Sequence, residues 1–514
     1  MMANVVAINA CQADVLAFLL DPATHGWPAR GVSHIETNLS VIVLAGNLAF
    51  KLKRAVHLPY VDFSSYAMRL RACQRELELN RRTAPMIYRA VRRITREADG
   101  RLGFDGAGEG IDAVVEMLRF NEDAELERMA ERGELPTSVL AELGREIARF
   151  HDSAELVYRN DGSMSDVIDI NLASFKTTNF FAPDIVAKFD EGCRRHNERH
   201  LALLSRRAQG GSVRHCHGDL HLRNICLMDG RPVLFDCIEF NDRLATIDVL
   251  YDLAFLLTDL WRLGLRAQAN LVMNRYLDAR DDEAGLPLLP LFMALRAGIR
   301  AHVLASHISS TLSRSSETES REAQSYMSLA LQLLEPASAY VVAISGKSGT
   351  GKSTIAAALA DRIGPVPGAR ILSSDRIRKR LSGVADETRL PAAAYAPDVS
   401  EHVYAYQAEH ATLLAANGAG VVADAVFERP ADRQRIERAA KEAHARFSAI
   451  RLHAPVATLI DRVRARKGGP SDADAAVVRM QDREESGRND WTEVDSSGTP
   501  EEVCHRVAQA IEGV

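Results

Sequence analysis

Between residues 39 and 53 apolar and polar positions alternate on either side of Gly46-Asn47, the period of two expected of strands joined by a turn. Residues 66 to 82 (Y-A-M-R-L-R-A-C-Q-R-E-L-E-L-N-R-R) repeat at helical spacing instead. Val91 to Arg96 and Ile111 to Leu118 read as further strands around the turn-rich G-R-L-G-F-D-G-A-G-E-G, so this part of the chain predicts a small, mostly β lobe. From about residue 122 the pattern becomes helical, with one β interruption at residues 225 to 236. A last helix-patterned stretch, Y-M-S-L-A-L-Q-L-L, stops at Pro336.

The break E-P-A-S-A at residues 335 to 339 marks a domain boundary and divides the chain into 1–335 and 340–514. Beyond it strands and helices alternate: strand 340–345, helix 352–362, strand 370–374, helices to about 416, strand 420–424, helix 431–445 and strand 447–453. That order predicts a parallel sheet covered by helices. The fold class is therefore α/β plus α+β in two domains. The most polar stretch, residues 309 to 321, reads as a loop or a frayed helix start.

Composition adds exclusions. A chain of 514 residues with 46% hydrophobic and 26% charged residues can bury a conventional core, which rules out disorder as its main state. Lys+Arg 63 against Asp+Glu 69 leaves a net charge of −6, so no whole-molecule field draws it to nucleic acid or to an anionic membrane. Seven scattered cysteines without a C-x-x-C pair fit a reducing cytosol. The first residues lack the basic start and cleavage site of a signal peptide, and no run approaches the roughly 20 apolar residues of a membrane span. A cytoplasmic protein is expected.

Residues 217 to 236 carry the first chemistry: H-G-D-L-H-L-R-N followed by I-C-L-M-D-G-R-P-V-L-F-D. Two short apolar runs around Asp229-Gly230 signal a hairpin, which brings Asn224 before its first strand next to Asp236 at the end of its second. Two oxygen ligands for Mg²⁺ then meet, and Asp219, five residues before Asn224, is placed to orient and deprotonate an acceptor hydroxyl. Cys216 and the flanking histidines crowd the same loop, but catalytic-loop duty accounts for His217 better than zinc does.

The segment resembles the catalytic loop of the aminoglycoside phosphotransferase family, whose members share the bilobal protein-kinase-like fold and phosphorylate small molecules. A-R-F-H-D (148–152) and Y-D-L-A-F (251–255) are similar to further family segments, and the matches cover most of residues 33 to 260. The resemblance implies that F-K-L-K (50–53) supplies the lysine for the α- and β-phosphates, with Lys51 ahead of Lys53 and Glu76 as the ion-pair partner. A period of two puts both lysines on one face. Two departures stand out: no G-x-G-x-x-G precedes that strand, and C-I-E-F replaces the usual Phe-Gly after Asp236.

Residues 346 to 353 read G-K-S-G-T-G-K-S, a complete G-x-x-x-x-G-K-[ST] phosphate loop between a strand and a helix. Gly346, Gly349 and Gly351 let the backbone amides of Lys347, Ser348 and Thr350 curl toward a phosphate, Lys352 neutralises the β- and γ-phosphates, Ser353 ligates Mg²⁺, and Thr354 opens the helix. Asp375 ends the next strand as a second acceptor-orienting carboxylate, and Asp424 ends the third as a Walker B candidate for Mg²⁺. Arg462 and Arg466, at i and i+4 of a helix, would reach a transferring phosphoryl group like a lid near S-D-A (471–473).

Residues 340–514 resemble the small P-loop kinases that include gluconate kinase, polynucleotide kinase, zeta toxins and chloramphenicol phosphotransferase. The tandem resembles bacterial bifunctional aminoglycoside phosphotransferase/ATP-binding proteins. The leading expectation is an ATP- and Mg²⁺-dependent phosphotransferase with two nucleotide sites acting on hydroxyl groups of small molecules. One alternative makes the P-loop half a nucleotide sensor that gates the other half, in which case Lys352 matters and Asp375 does not. Another makes it a polynucleotide 5′-kinase, against which the acidic balance weighs.

Overall fold

In the computed structural model, which describes residues 10–26, 31–58, 61–158, 162–310, 316–466, 468–483 and 490–511, the alternating stretches pair as their pattern predicts. Strands β1 (Val32–Glu36), β2 (Ser40–Ala45) and β3 (Leu48–Lys53) run antiparallel, and the Gly46-Asn47 turn sets Ile42 opposite Lys51. A small hairpin, β4 (His57–Leu58) with β5 (Val61–Asp62), leads to the helix Tyr66–Asn80, whose Ser65 cap accepts a hydrogen bond from the Met68 amide. Strands β6 (Tyr88–Arg96), β7 (Leu102–Phe104) and β8 (Glu109–Leu118) complete a six-stranded sheet in the order β1-β2-β3-β8-β6-β7.

Alternation along β3 decides what each face of this sheet does. Phe50 and Leu52 pack with Val15 and Leu19 of the helix Ala10–Leu20. Ala49, on the other face with Lys51 and Lys53, packs with Cys73 of the helix Tyr66–Asn80 and with Cys226 and Val233. Those last two belong to the hairpin β10 (Ile225–Met228) and β11 (Arg231–Leu234), turned at Asp229 and Gly230, both in the left-handed region. The hairpin is flanked by β9 (Val213–His215), which pairs with β12 (Thr246–Asp248). The helix Val249–Arg262 follows, buried from Val249 to Trp261.

The second sheet is wholly parallel. Strands β13 (Tyr340–Gly346), β14 (Arg370–Ser373), β15 (Gly420–Asp424), β16 (Arg446–His453) and β17 (Thr492–Asp495) lie in the order β14-β15-β13-β16-β17. β13 is buried at every position, as expected of a central strand covered on both faces. The helix expected over 352–362 ends at Leu359 and tightens into a 3₁₀ turn, and that expected over 431–445 ends at Glu442. Of the polar segment 309–321, residues 311–315 lie outside the described residues, and Ser316 opens the helix Ser316–Leu333.

Contacts group the chain into two compact units, Met1–Leu263 with Phe292–Leu331, and Gly264–Leu291 with Gln332–Val514. A single cut at 335–339 therefore does not describe the packing. The reason is chemical. β14 is an edge strand, and the helix Arg266–Ala279 satisfies backbone groups of it and of the segment leading into it: Asn270 Nδ2 donates to the carbonyls of Pro367 and Ala369 (both 3.0 Å), and Asn274 Oδ1 accepts from the Ile371 amide (2.8 Å). Arg370 on the same strand reaches Asp278 and Glu283, each at 2.7 Å. Among the described residues one helix, Glu283–Ser309, is long and apolar enough to cross a membrane by length and composition; 72% of its apolar 18-residue window is buried inside the protein, as in a core helix.

Candidate active sites

In the first unit the loop after β9 is held from below by one carboxylate. Asp252, fully buried on the helix Val249–Arg262, accepts from the amides of His217 (3.1 Å) and Gly218 (2.9 Å) and bonds His151 Nε2 (3.1 Å). Gly218 sits at φ +83, and a Cβ there would meet the Ile238 side chain at 3.0 Å. His151, Cys216 and Asp252 bring ligand atoms within 4.8 Å of one another. The carboxylate is already committed to two amides and an imidazole, and burial pushes the Cys216 thiol far up, so the donor set braces a loop rather than offering a zinc site.

The loop then presents its polar groups. Asn224 Nδ2 donates to the Asp219 carbonyl (2.9 Å) and to Asp219 Oδ2 (3.0 Å), which leaves Asn224 Oδ1 for another partner. His221 Nε2 lies 3.3 Å from Asp219 Oδ2. Burial drives the Asp219 carboxyl up, but His221, His217 and Arg300 outweigh it and hold the group well below the ordinary carboxylate range. The hairpin closes as its signal predicts, with the Phe235 amide donating to the Asn224 carbonyl at 2.9 Å, and this sets Asp236 beside the loop. Asp236 adopts φ +64, and its amide donates to the Tyr88 hydroxyl (3.1 Å). Its carboxylate pairs with Lys51, which also lies 2.8 Å from Glu76 Oε1. Asp219, Asn224, Asp236, Lys51, Lys53 and Glu76 thus meet in one unit. Glu239, which pairs with Lys53, was not legible as part of the site; the E of C-I-E-F was its only signal.

In the second unit the phosphate loop leaves β13 with three glycines at positive φ: Gly346 at +143, Gly349 at +88 and Gly351 at +90. A Cβ on Gly346 would stand 2.5 Å from the Leu452 carbonyl oxygen, and one on Gly349 2.7 Å from that of Leu459, so the curl requires glycine. Thr350 Oγ1 and Lys352 Nζ both donate to the Lys347 carbonyl, at 2.8 and 3.1 Å. Ser353 Oγ donates to Asp424 Oδ2 at 2.6 Å, joining the two expected metal-side groups. Burial raises the Asp424 carboxyl against the pull of Lys352 and Ser353, and burial lowers the Lys352 ammonium.

A cavity of about 630 Å³ is lined by this loop, Thr354 included, by Asp424, Arg378 and Tyr395, and by both expected arginines, Arg462 and Arg466; Asp375 lines it too, from the first turn of the helix Ser374–Leu381 rather than from the end of β14, which stops at Ser373. Lys347 turns aside to Asp482 (2.7 Å), and the Ser348 amide donates to Gln481 Oε1 (2.9 Å), so the helix Ala475–Arg483 is fastened to the loop. The two arginines expected to form one helical face do not do so. The helix Val456–Ala465 ends one residue before Arg466, whose backbone is extended and whose guanidinium donates to the Ala473 carbonyl (2.6 Å). Arg462 instead donates to the carbonyls of Ser497 (3.3 Å) and Gly498 (3.0 Å). Asp472, the D of S-D-A (471–473), anchors that segment through Lys379 (2.8 Å), the Leu390 amide (2.9 Å) and the Tyr395 hydroxyl (2.7 Å).

Comparison with known proteins agrees with this division of chemistry. A model of the phosphotransferase enzyme family matches residues 71–288, and an AAA domain model matches residues 341–485. An uncharacterized protein of Mycobacterium tuberculosis (strain ATCC 25618 / H37Rv) is 29% identical over 477 residues, 91% of this chain and 92% of that one. The adenylyl-sulfate kinase of Myxococcus xanthus (strain DK1622) is 32% identical over 123 residues, 24% of this chain and 62% of that one. Among solved structures, a choline/ethanolamine kinase family protein from Mesorhizobium loti is 16% identical with a TM-score of 0.38, covering 63% of this chain and 99% of that one. A gluconokinase from Sinorhizobium meliloti is 19% identical with a TM-score of 0.24, covering 33% and 93%. Residues 71–288 thus carry the pattern of the phosphotransferase enzyme family and residues 341–485 that of an AAA domain, a pairing that supports ATP-dependent phosphoryl transfer.

Proposed function

We propose that both units are catalytic, each binding its own Mg²⁺-ATP and passing the γ-phosphoryl group to a hydroxyl of a small molecule. The observation that carries this reading is that each unit gathers a carboxylate for an acceptor with phosphate- and metal-side groups: Asp219 hydrogen-bonded to Asn224, in the loop whose hairpin also delivers Asp236 to Lys51, and Asp375 lining the same cavity as Lys352, Ser353 and Asp424. Asn224 Oδ1 and Asp236 in the first unit, and Ser353 and Asp424 in the second, are hard oxygen donors of the kind Mg²⁺ takes. A bound Mg²⁺ would neutralise charge on the nucleotide phosphates.

The chain's own groups do the rest. Asp219, kept ionised at neutral pH by its neighbours, accepts a hydrogen bond from an acceptor hydroxyl and takes its proton as the oxygen attacks phosphorus. Asp375 serves the same end in the second unit, where a cavity of about 630 Å³ suits a small molecule. A net charge of −6 supports a small acceptor over a nucleic acid. The sensor alternative draws support from one contact, the hold of Gln481 on the phosphate-loop amide of Ser348, which nucleotide binding would disturb.

The test is transfer of the labelled γ-phosphoryl group of ATP into a bacterial metabolite extract by the intact chain and by Asp219→Asn and Asp375→Asn. A labelled product lost in one variant assigns that chemistry to its unit. If nothing is labelled beyond slow ADP release, and neither substitution changes that release, the two-site reading fails and the sensor reading leads.

A further inference from the structure

Lys51 and Lys53 stand on one face of β3, and both are given to a single carboxylate. Lys51 Nζ lies 2.8 Å from Glu76 Oε1, and Lys53 Nζ lies 2.5 Å from Glu76 Oε2. Each lysine also has a second acid from the segment after the hairpin, Asp236 for Lys51 and Glu239 for Lys53. The result is a row, Asp236, Lys51, Glu76, Lys53, Glu239, with two cations among three carboxylates. Burial is uneven along it: the side chains of Glu76, Lys53 and Glu239 are 0%, 1% and 6% exposed, whereas Asp236 is 38% exposed. The row is closed at Glu239 and open at Asp236.

A kinase-type site has to rearrange at the open end, where the lysine turns to phosphate oxygens and the aspartate to the metal side. If Glu76 had only Lys51, drawing that lysine toward a nucleotide would leave a fully buried carboxylate short of positive charge, and its attraction would hold the lysine back. A second lysine removes the restraint. Lys53 does not itself suit phosphate, being enclosed between two carboxylates and set over the Phe63 ring, 5.5 Å from its centroid. Burial favours its neutral form, but Glu239 and Glu76 outweigh that and keep it charged.

We infer that Lys53 and Glu239 are positioning residues: a closed ion pair that keeps Glu76 compensated, so that Lys51 is free to engage the nucleotide phosphates at the open end. The inference rests on the reading of the first unit as a nucleotide site. It gives the second lysine of F-K-L-K a role that a single phosphate-binding lysine does not require.

The experiment uses the full chain carrying Lys352→Ala, which silences the P-loop, and titrates a fluorescent ATP analogue with Mg²⁺. Replacing the closing pair together, Lys53→Met with Glu239→Met, removes one charge of each sign from a buried site and is expected to leave folding intact by thermal melt. Analogue affinity should fall about tenfold, equivalent to about 1.4 kcal/mol. Adding Glu76→Gln to that variant should restore affinity to within about twofold, because a neutral amide in place of the carboxylate needs no second lysine. A purely structural loss would not be rescued in this way. Lys53→Arg, which keeps the pair, should bind nearly as the parent does and serves if the double variant melts early. Unchanged affinity in the double variant, or no rescue by Glu76→Gln, overturns the inference while leaving the site intact. If Lys51→Met also binds the analogue like the parent, the nucleotide-site reading falls, and this inference with it.

Discussion

Replacing Arg370 with methionine should destabilise the second unit and leave the first unchanged. The guanidinium lies within the protein at the start of β14, 2.7 Å from both Asp278 and Glu283. Burial drives both carboxyls up, yet Glu283 is held down from 4.5 to about 2 and Asp278 from 3.8 to about 2, and Arg370 is the strongest of the charges responsible. At about 1.4 kcal/mol per pH unit these displacements correspond to about 3 and about 2 kcal/mol. His410 also holds Glu283, and Arg275 and Arg376 also hold Asp278. Arg370 thus accounts for roughly 3 kcal/mol at neutral pH, within the range for breaking a buried pair by removing one partner. The sign with pH follows: carboxyls whose folded values are depressed stabilise above their unfolded value near 4 and cease to do so as the pH falls toward 2. The wild-type second unit should lose stability over that window, and Arg370→Met should show a flatter acid slope. Peptide-resolved hydrogen exchange across a urea series, at pH 7 and about pH 3, reads β13 to β16 separately from β2, β3 and β8. A loss below about 1 kcal/mol, an equal loss in β2, β3 and β8, or an unaltered acid slope would contradict this role for Arg370.

Three further outcomes follow from the sites. Asp252→Asn should weaken the hold on the His217 and Gly218 amides and lower turnover at Asp219 by about 100-fold, with ATP affinity changed less than about twofold, measured by single-turnover kinetics on the labelled product. Gly346→Ala puts a Cβ 2.5 Å from the Leu452 carbonyl oxygen, so nucleotide affinity at the phosphate loop should drop by at least about tenfold in an analogue titration. Because burial raises the Asp424 carboxyl, Mg²⁺-dependent nucleotide binding in the second unit should weaken on acidification with a midpoint above the ordinary 3.8, and Asp424→Asn should abolish that pH dependence.

Local pattern was enough wherever the chemistry is written in consecutive residues. The turn at Gly46-Asn47, the hairpin at Asp229-Gly230 and the phosphate loop between β13 and its helix each combine a short run of apolar positions with turn residues whose backbone demands are local, and the structure contains all three. Asp219, Asn224 and Asp236 were legible for the same reason, since a hairpin of known length fixes which residues its ends bring together. Period two along β3 likewise put Lys51 and Lys53 on one face before any partner was known.

What residue spacing could not supply is the identity of partners far apart in the chain. Glu239 pairs with Lys53 across 186 positions, and nothing local distinguishes it from a surface acid. Arg462 and Arg466 have helical spacing, but the helix ends at Ala465; both line the cavity of the second unit, each held there by backbone carbonyls rather than by a shared helical face. The division of the chain shows the limit most plainly. Residues 264–288 fall within the phosphotransferase family match, yet they pack with the second unit. Asn270, Asn274, Asp278 and Glu283 read as ordinary polar positions of a helix and a turn. Only the outer side of an edge strand, with the Ile371 amide, the carbonyls of the segment before it and a buried arginine to satisfy, makes them part of the P-loop unit. Backbone periodicity is a short-range property and is written along the chain, whereas the satisfaction of buried charges and strand edges is settled only by which elements meet.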